Sequence, residues 1–292
     1  MSDERAGKNQ VFTGEQVAPH VDPAIQRRSA ADAVKSEFGL EIPVEVVPLP
    51  SGGKVYPAGH PFHDKTTVEI TAMTAREEDI LTSQALIKKG TVISELIKSC
   101  LVEKNFDVRS LLSGDRNALM VAIRITGYGA DYEGEVQCPA CSETTPREFN
   151  LSSLPIKSLD LTPVEPGQNL FEFKLPRCQK TVRFKFLTGA DEEDIAVTQE
   201  RSKKMLGFQQ KDSLVTTNLL YSLVSVDGNE DRQQIARFVG MMPAMDSQAL
   251  RKYMRENEPG VRMKSWSACL ACGHEEEVTL PLGVKFLWPN AE

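Results

Sequence analysis

The chain has no run of about 18 apolar residues, so a membrane-spanning helix is not expected. Its N-terminus shows neither a basic-then-apolar leader nor a lipidation motif, and the protein is expected to be made and kept in cytosol. Basic residues are in deficit: 34 Lys and Arg against 41 Asp and Glu leave a net charge of -7 and a pI near 5.4. That balance argues against a broad phosphate-binding face, so nucleic acid is not the expected main partner. Nucleophile-elbow, phosphate-loop, dinucleotide and metalloprotease motifs are all missing, which argues against an enzyme and against a small-molecule substrate. Cysteine is scarce too, six in 292 residues.

Four of those six are arranged as Cys138-Pro139-Ala140-Cys141 and Cys269-Leu270-Ala271-Cys272. A pair of thiols on a tight turn is half of a tetrahedral zinc site, and in a reducing compartment this spacing suits metal better than disulfides. A redox role fits poorly, because Ser142-Glu143-Thr144-Thr145-Pro146 is a weak helix start where a thioredoxin-like unit needs one. The expectation is one closed, structural zinc site made of Cys138, Cys141, Cys269 and Cys272. His274 could replace a missing ligand but is expected beside the site. Cys100 reads as a small core residue and Cys178 as a strand or turn residue. His60 and His63 are separated by proline and read as ordinary loop histidines.

With 40% apolar and 26% charged residues, the chain is long enough for one large domain or two ordinary ones. Residues 1–21 are polar and aperiodic and read as a flexible arm. Asp22 and Pro23 at the start and Gly39 at the end frame a short helix through Phe38. Glu41–Pro48 reads as an edge strand and 49–56 as a glycine turn with a task. A strand at Thr67–Thr71 precedes a capping box at Thr74 and Glu77; a core helix follows Thr91, and a third helix capped by Asp115 ends at Tyr128-Gly129. Tyr132–Gln137 then delivers Cys138 at its tip, and Glu148–Leu151 returns.

After a proline-rich link, 155–166, the order begins again. Phe171–Phe173 and Val182–Phe186 read as strands, Leu187–Ile195 parallels Met73–Ile80, and Leu219, Leu220, Leu223 and Val224 form an apolar helix. Asp231 opens a further helix, and Asp246 the one leading to the second cysteine pair. The offset is 131 residues, 269 minus 138 and 272 minus 141. It also matches Asp115 with Asp246, Leu119 with Leu250, Arg124 with Arg255 and Gly129 with Gly260. An internal duplication is the expectation. The expected fold class is α+β, with two helix-plus-short-strand halves joined by a zinc-ribbon-like site of four cysteines. The boundaries are 1–40 for the arm, 41–160 and 161–292 for the halves, which together form one zinc-tied body. Acidic clusters at 77–79 and 191–194 sit in first helical turns, where they complement the dipole.

The succession Leu49-Pro50-Ser51-Gly52-Gly53-Lys54-Val55-Tyr56, Val68-Glu69-Ile70-Thr71-Ala72-Met73-Thr74, Ile123-Arg124-Ile125-Thr126-Gly127-Tyr128-Gly129 and Cys138-Pro139-Ala140-Cys141 resembles the baseplate protein family of T-even-like contractile-tailed bacteriophages. The likeness is clearest over 48–155. It implies a non-enzymatic structural or assembly component of the hub region of the tail baseplate, located in the virion, with other tail and baseplate proteins as partners. Two other readings stand beside it: an assembly chaperone absent from the virion, and a zinc-ribbon factor associated with nucleic acid. Glu143, Glu148, Glu275, Glu276 and Glu277 around the cysteines disfavour the last. Residues 1–40 and 281–292 are expected to bind neighbouring tail proteins.

Overall fold

The computed structural model describes residues 26–27, 34–35, 41–206, 214–282 and 284–287. Two-residue strands β1 (Gln26–Arg27), β2 (Val34–Lys35) and β3 (Glu41–Ile42) lead to β4 (Val44–Pro48) and β5 (Thr67–Thr71). Helices α1 (Ala75–Thr82), α2 (Gln84–Lys89), α3 (Val92–Cys100) and α4 (Ser113–Tyr128) follow, then the hairpin β6 (Asp131–Gln137) and β7 (Thr144–Asn150) and the short β8 (Ile156–Lys157). The chain continues through β9 (Phe171–Lys174), β10 (Thr181–Phe184), α5 (Gly189–Leu206), α6 (Leu214–Ser222) and β11 (Leu223–Val226). Helices α7 (Arg232–Met241) and α8 (Ala244–Asn257), strand β12 (Gly260–Val261), the hairpin β13 (Lys264–Ala268) and β14 (Glu275–Thr279), and α9 (Val284–Leu287) complete it. The class is α+β.

α3, α5, α9, β4 and β12 all pack on α4. Ala118, Leu119, Met120, Val121, Ala122 and Ile123 are all buried in succession, the signature of a helix covered on every side rather than on one stripe. The N-terminal end of α4 crosses β12 so closely that a Cβ on Gly114 would lie 1.9 Å from the carbonyl oxygen of Pro259. Only glycine fits there. At its other end the buried Arg124 donates through Nη1 to the carbonyl of Gly129, through Nη2 to that of Asp131 and through Nε to that of Phe286, tying the helix end to β6 and α9.

Two hairpins of like construction precede α4 and α8 in the chain. β4 pairs antiparallel with β5, and β9 with β10. Each opens into a turn after a Leu-Pro pair, and each turn is held by a buried aspartate. Ser51 donates its N–H to Asp115 at 2.9 Å, and Arg177 donates its N–H to Asp246 at 2.7 Å. Both carboxylates lie inside their helices rather than at the cap, since α4 and α8 begin at Ser113 and Ala244. The expected caps are thus inter-element clamps: the loop donors have no other partner, whereas first-turn N–H groups reach water or the chain before them. The glycine turn at 49–56 has its task inside the body. Tyr56 donates to Asp115 and accepts from the N–H of Leu112, tying the turn to the start of α4.

Three further expectations change. The helix expected over 22–38 is extended where it is described: Gln26–Arg27 pairs with Glu45 and Val46 of β4, and Val34–Lys35 pairs with Glu41–Ile42. Sheet edges compete for the backbone groups that local capping signals would have used. The rest of that helix, and the arm before it, lie outside the described residues. Leu223 and Val224 leave the apolar helix and form β11, because β10 offers an edge that Leu223–Val226, with its two valines, fills. The C-terminal aromatic segment is no free tail: Phe286 and Leu287 are buried, and the Phe286 ring lies 5.3 Å from that of Tyr132. Trp288 lies outside the described residues.

Candidate metal centre

Both cysteine pairs sit on hairpin tips with one turn geometry. In the first, Cys138 donates its N–H to the carbonyl of Glu143 at 2.9 Å, and Ser142 donates to that of Cys138 at 2.8 Å. In the second, Cys269 donates to His274 and Gly273 to Cys269, both at 2.8 Å. Ser142 and Gly273 occupy the left-handed region, with φ of 62° and 74°. A glycine reaches that region freely, while the serine gives up roughly 1 kcal/mol or more to do so. These turns aim both sulfurs of a pair to the same side.

The two tips meet. The sulfur of Cys138 lies 3.7 Å from that of Cys272, and the sulfur of Cys141 lies 3.8 Å from that of Cys269. All four lie within 4.8 Å of one another. A disulfide holds its sulfurs about 2.05 Å apart, so neither contact is one. Four thiolates about 2.3 Å from a tetrahedral zinc sit about 3.8 Å from each other, and the observed separations fit that arrangement. The first cysteine of each pair is buried and the second exposed. The sulfur of Cys269 accepts hydrogen bonds from the backbone of Cys272 and Ala271, which draw its pKa down to about 6. Cys141 is pushed up to about 12: a backbone hydrogen bond at Glu143 opposes the rise, and desolvation with proton sharing among Cys272, Cys138 and Cys269 outweighs it. One thiolate is therefore ready at neutral pH, and Cys141 holds a proton that a cation would displace.

Arg147 was not legible from sequence. It alternates inward on β7 between Thr145 and Phe149, and its guanidinium spans the gap between the hairpins. Nη2 lies 3.0 Å from a carboxylate oxygen of Glu276, and Nη1 donates to the carbonyl of Ser267. The hint available in sequence is an arginine at an inward strand position, where a charge needs a partner.

Other titratable groups have structural partners. His274 serves through its backbone, and its ring is not among the clustered ligand atoms. His60 accepts the N–H of Phe62 and stacks on Tyr56 at 4.6 Å, while His63 contacts the carbonyl of Tyr56 at 2.6 Å. Burial pushes the Cys100 thiol up to about 12, and the N–H of Cys178 is held by Asp246. Glu77 accepts from both the N–H and the hydroxyl of Thr74, as Asp191 does from Thr188. Among the described residues the four cysteines are the cluster of His, Cys, Asp and Glu able to hold a metal ion.

A profile of the family described as T4 bacteriophage base plate protein matches residues 43–288. The chain belongs to the T4 bacteriophage base plate protein family. No curated protein and no solved structure matches the chain. Membership of the base plate family makes it a structural component of the phage baseplate, and both cysteine pairs fall inside the matched span. No helix among the described residues is long and apolar enough to cross a membrane.

Proposed function

We propose that the protein is a non-enzymatic component of the hub region of a contractile-tail baseplate, bound to neighbouring tail proteins and tied internally by one structural zinc on Cys138, Cys141, Cys269 and Cys272. Four thiolates leave no position for water, so the metal's chemistry here is cross-linking rather than catalysis. It joins two halves, 41–160 and 161–292, that descend from one duplicated unit. The shared Leu-Pro turns, the matching aspartate clamps and the matching cysteine turns support that descent. The protein is built in the host cytoplasm and resides in the tail. Among the described residues Met241, Trp266 and Leu270 are the most exposed large apolar side chains, and are the groups a neighbouring protein would cover.

The observation that carries this reading is the four-sulfur cluster, drawn from the middle and the C-terminal end of the family-matched span. Mass spectrometry of purified particles, with metal analysis of the purified chain, tests it. The chain is expected in tails and with about one zinc per molecule. A chain required for tail formation but missing from finished particles would make it an assembly factor instead.

A further inference from the structure

The two hairpins differ at one edge. In the first, residues 45, 47 and 49 of the outer strand bond inward, as shown by the N–H of Leu49 on the carbonyl of Thr66, so Val46 points its backbone groups outward. Gln26 of β1 takes them. The opposite edge of that hairpin is closed by Leu101, which bridges Ile70. In the second hairpin β11 closes the corresponding edge of β10. Leu175 donates to Lys180, and Thr181 bonds on its far side to Asp227. The alternation therefore turns the N–H and C=O groups of Glu172 and Lys174 away from β10. Among the described residues no backbone group meets them, and both side chains are exposed. Next along the same edge, the carbonyl of Leu170 already accepts from Val164. The free edge is thus three residues long, 172–174.

We propose that this edge is a second strand-acceptor site and that Val11-Phe12-Thr13 of the same chain's N-terminal arm fills it, running antiparallel to β9. Among residues 1–25, this is the single run of three consecutive β-branched or aromatic residues, the types that strands favour. It matches the free edge in length. Placing Phe12 opposite Phe173 sets its ring on the face where the half-buried Phe173 stacks on Tyr253 at 4.5 Å. The route fits as well. Because β1 is antiparallel to β4, Gln26 is the end of β1 nearer Pro48 and the turn at 51–54. That turn reaches β9: Gly167 donates to the carbonyl of Lys54, four residues before Phe171. Residues 14–25 span up to about 40 Å, and attachment at Gln26 holds the segment at high local concentration. Segments nearer β9 in sequence are committed elsewhere, Ile156–Lys157 to β12 and Leu159 to Pro50. An unpaired strand edge invites pairing between molecules, and covering it is a common remedy.

Residue-resolved amide exchange on the full chain tests this against deletion of residues 1–20 and against Phe12→Asp. The amides of Glu172 and Lys174 are expected to exchange at least about 10-fold faster in both variants, while that of Val46 is unchanged. Should the deletion also disturb Val46, the Phe12→Asp variant decides. Equal rates at Glu172 and Lys174 in the full chain and in Phe12→Asp would overturn the proposal. So would protection that fades on dilution together with a dimer in sedimentation, which would make a second copy the occupant.

Discussion

Asp115 and Asp246 stand in the same relation to their surroundings although 131 residues separate them. Each is fully buried in the first turn of a helix and grips the backbone of a Leu-Pro turn. Their protonation differs. Burial raises the pKa of Asp115, against the donors Ser51 and Tyr56, whereas for Asp246 desolvation is outweighed by the N–H groups of Arg177 and Cys178 and its pKa falls.

Asp246→Asn is therefore expected to destabilise the protein at pH 7 by about 2 kcal/mol, the worth of hydrogen bonds to a charged group. The sign follows from the depressed folded pKa: its stabilisation is complete above the unfolded value of about 3.9 and fades as pH falls through the folded one. Urea melts should show the gap between wild type and variant closing below about pH 4. Asp115 works in the opposite sense, its folded pKa being raised. Its contribution is complete below the unfolded value and declines as pH rises through the folded one.

Replacing Cys138 and Cys269 together by serine should abolish zinc retention and lower stability steeply. A closed thiolate site contributes on the order of 10 kcal/mol to folding. Cys178→Ser, outside the cluster, should retain metal. Wild-type protein that melts unchanged after chelation would sink the structural role.

Arg147→Ala removes a nearly buried guanidinium from between the hairpins and strands the Glu276 carboxylate. A loss of about 3 kcal/mol is expected. Adding Glu276→Gln should recover part of it, and a double-mutant cycle in thermal denaturation measures the coupling.

Two glycines should respond with opposite signs. Gly114→Ala drives a methyl into the backbone of Pro259 and should lose roughly 3 kcal/mol or prevent folding. Gly240, helical and with nothing within 4 Å of a built Cβ, should gain about 0.5–1 kcal/mol as alanine. Denaturation midpoints of the two variants decide.

What could be read from sequence was what carries its own chemistry close by in the chain. The cysteine spacing, the contact of Glu77 with Thr74 and the long apolar pattern of 115–128 all follow from residues near one another in the chain. Leu223 and Val224 could not be assigned that way, because a strand forms there only once β10 presents an edge. Gln26 and Arg27 followed the same rule against good local helix signals. Asp115 and Asp246 looked like caps because a cap is the local use of an aspartate, whereas their actual donors lie 64 and 69 residues away. Arg147 and Phe286 acquired their roles only from packing between distant segments.

The crossed contacts of the cysteines also bear on the order of synthesis. Cys138 meets Cys272 and Cys141 meets Cys269, so neither tip can be completed by its own pair. At about 5–20 residues per second, the 131 residues between equivalent cysteines take roughly 7–26 s to emerge. For that interval the ribosome carries a hairpin with two open thiols and an α4 still lacking Phe286 and Leu287. Core closure and sulfur closure then arrive within the same short stretch of chain, so the body locks last and in one piece.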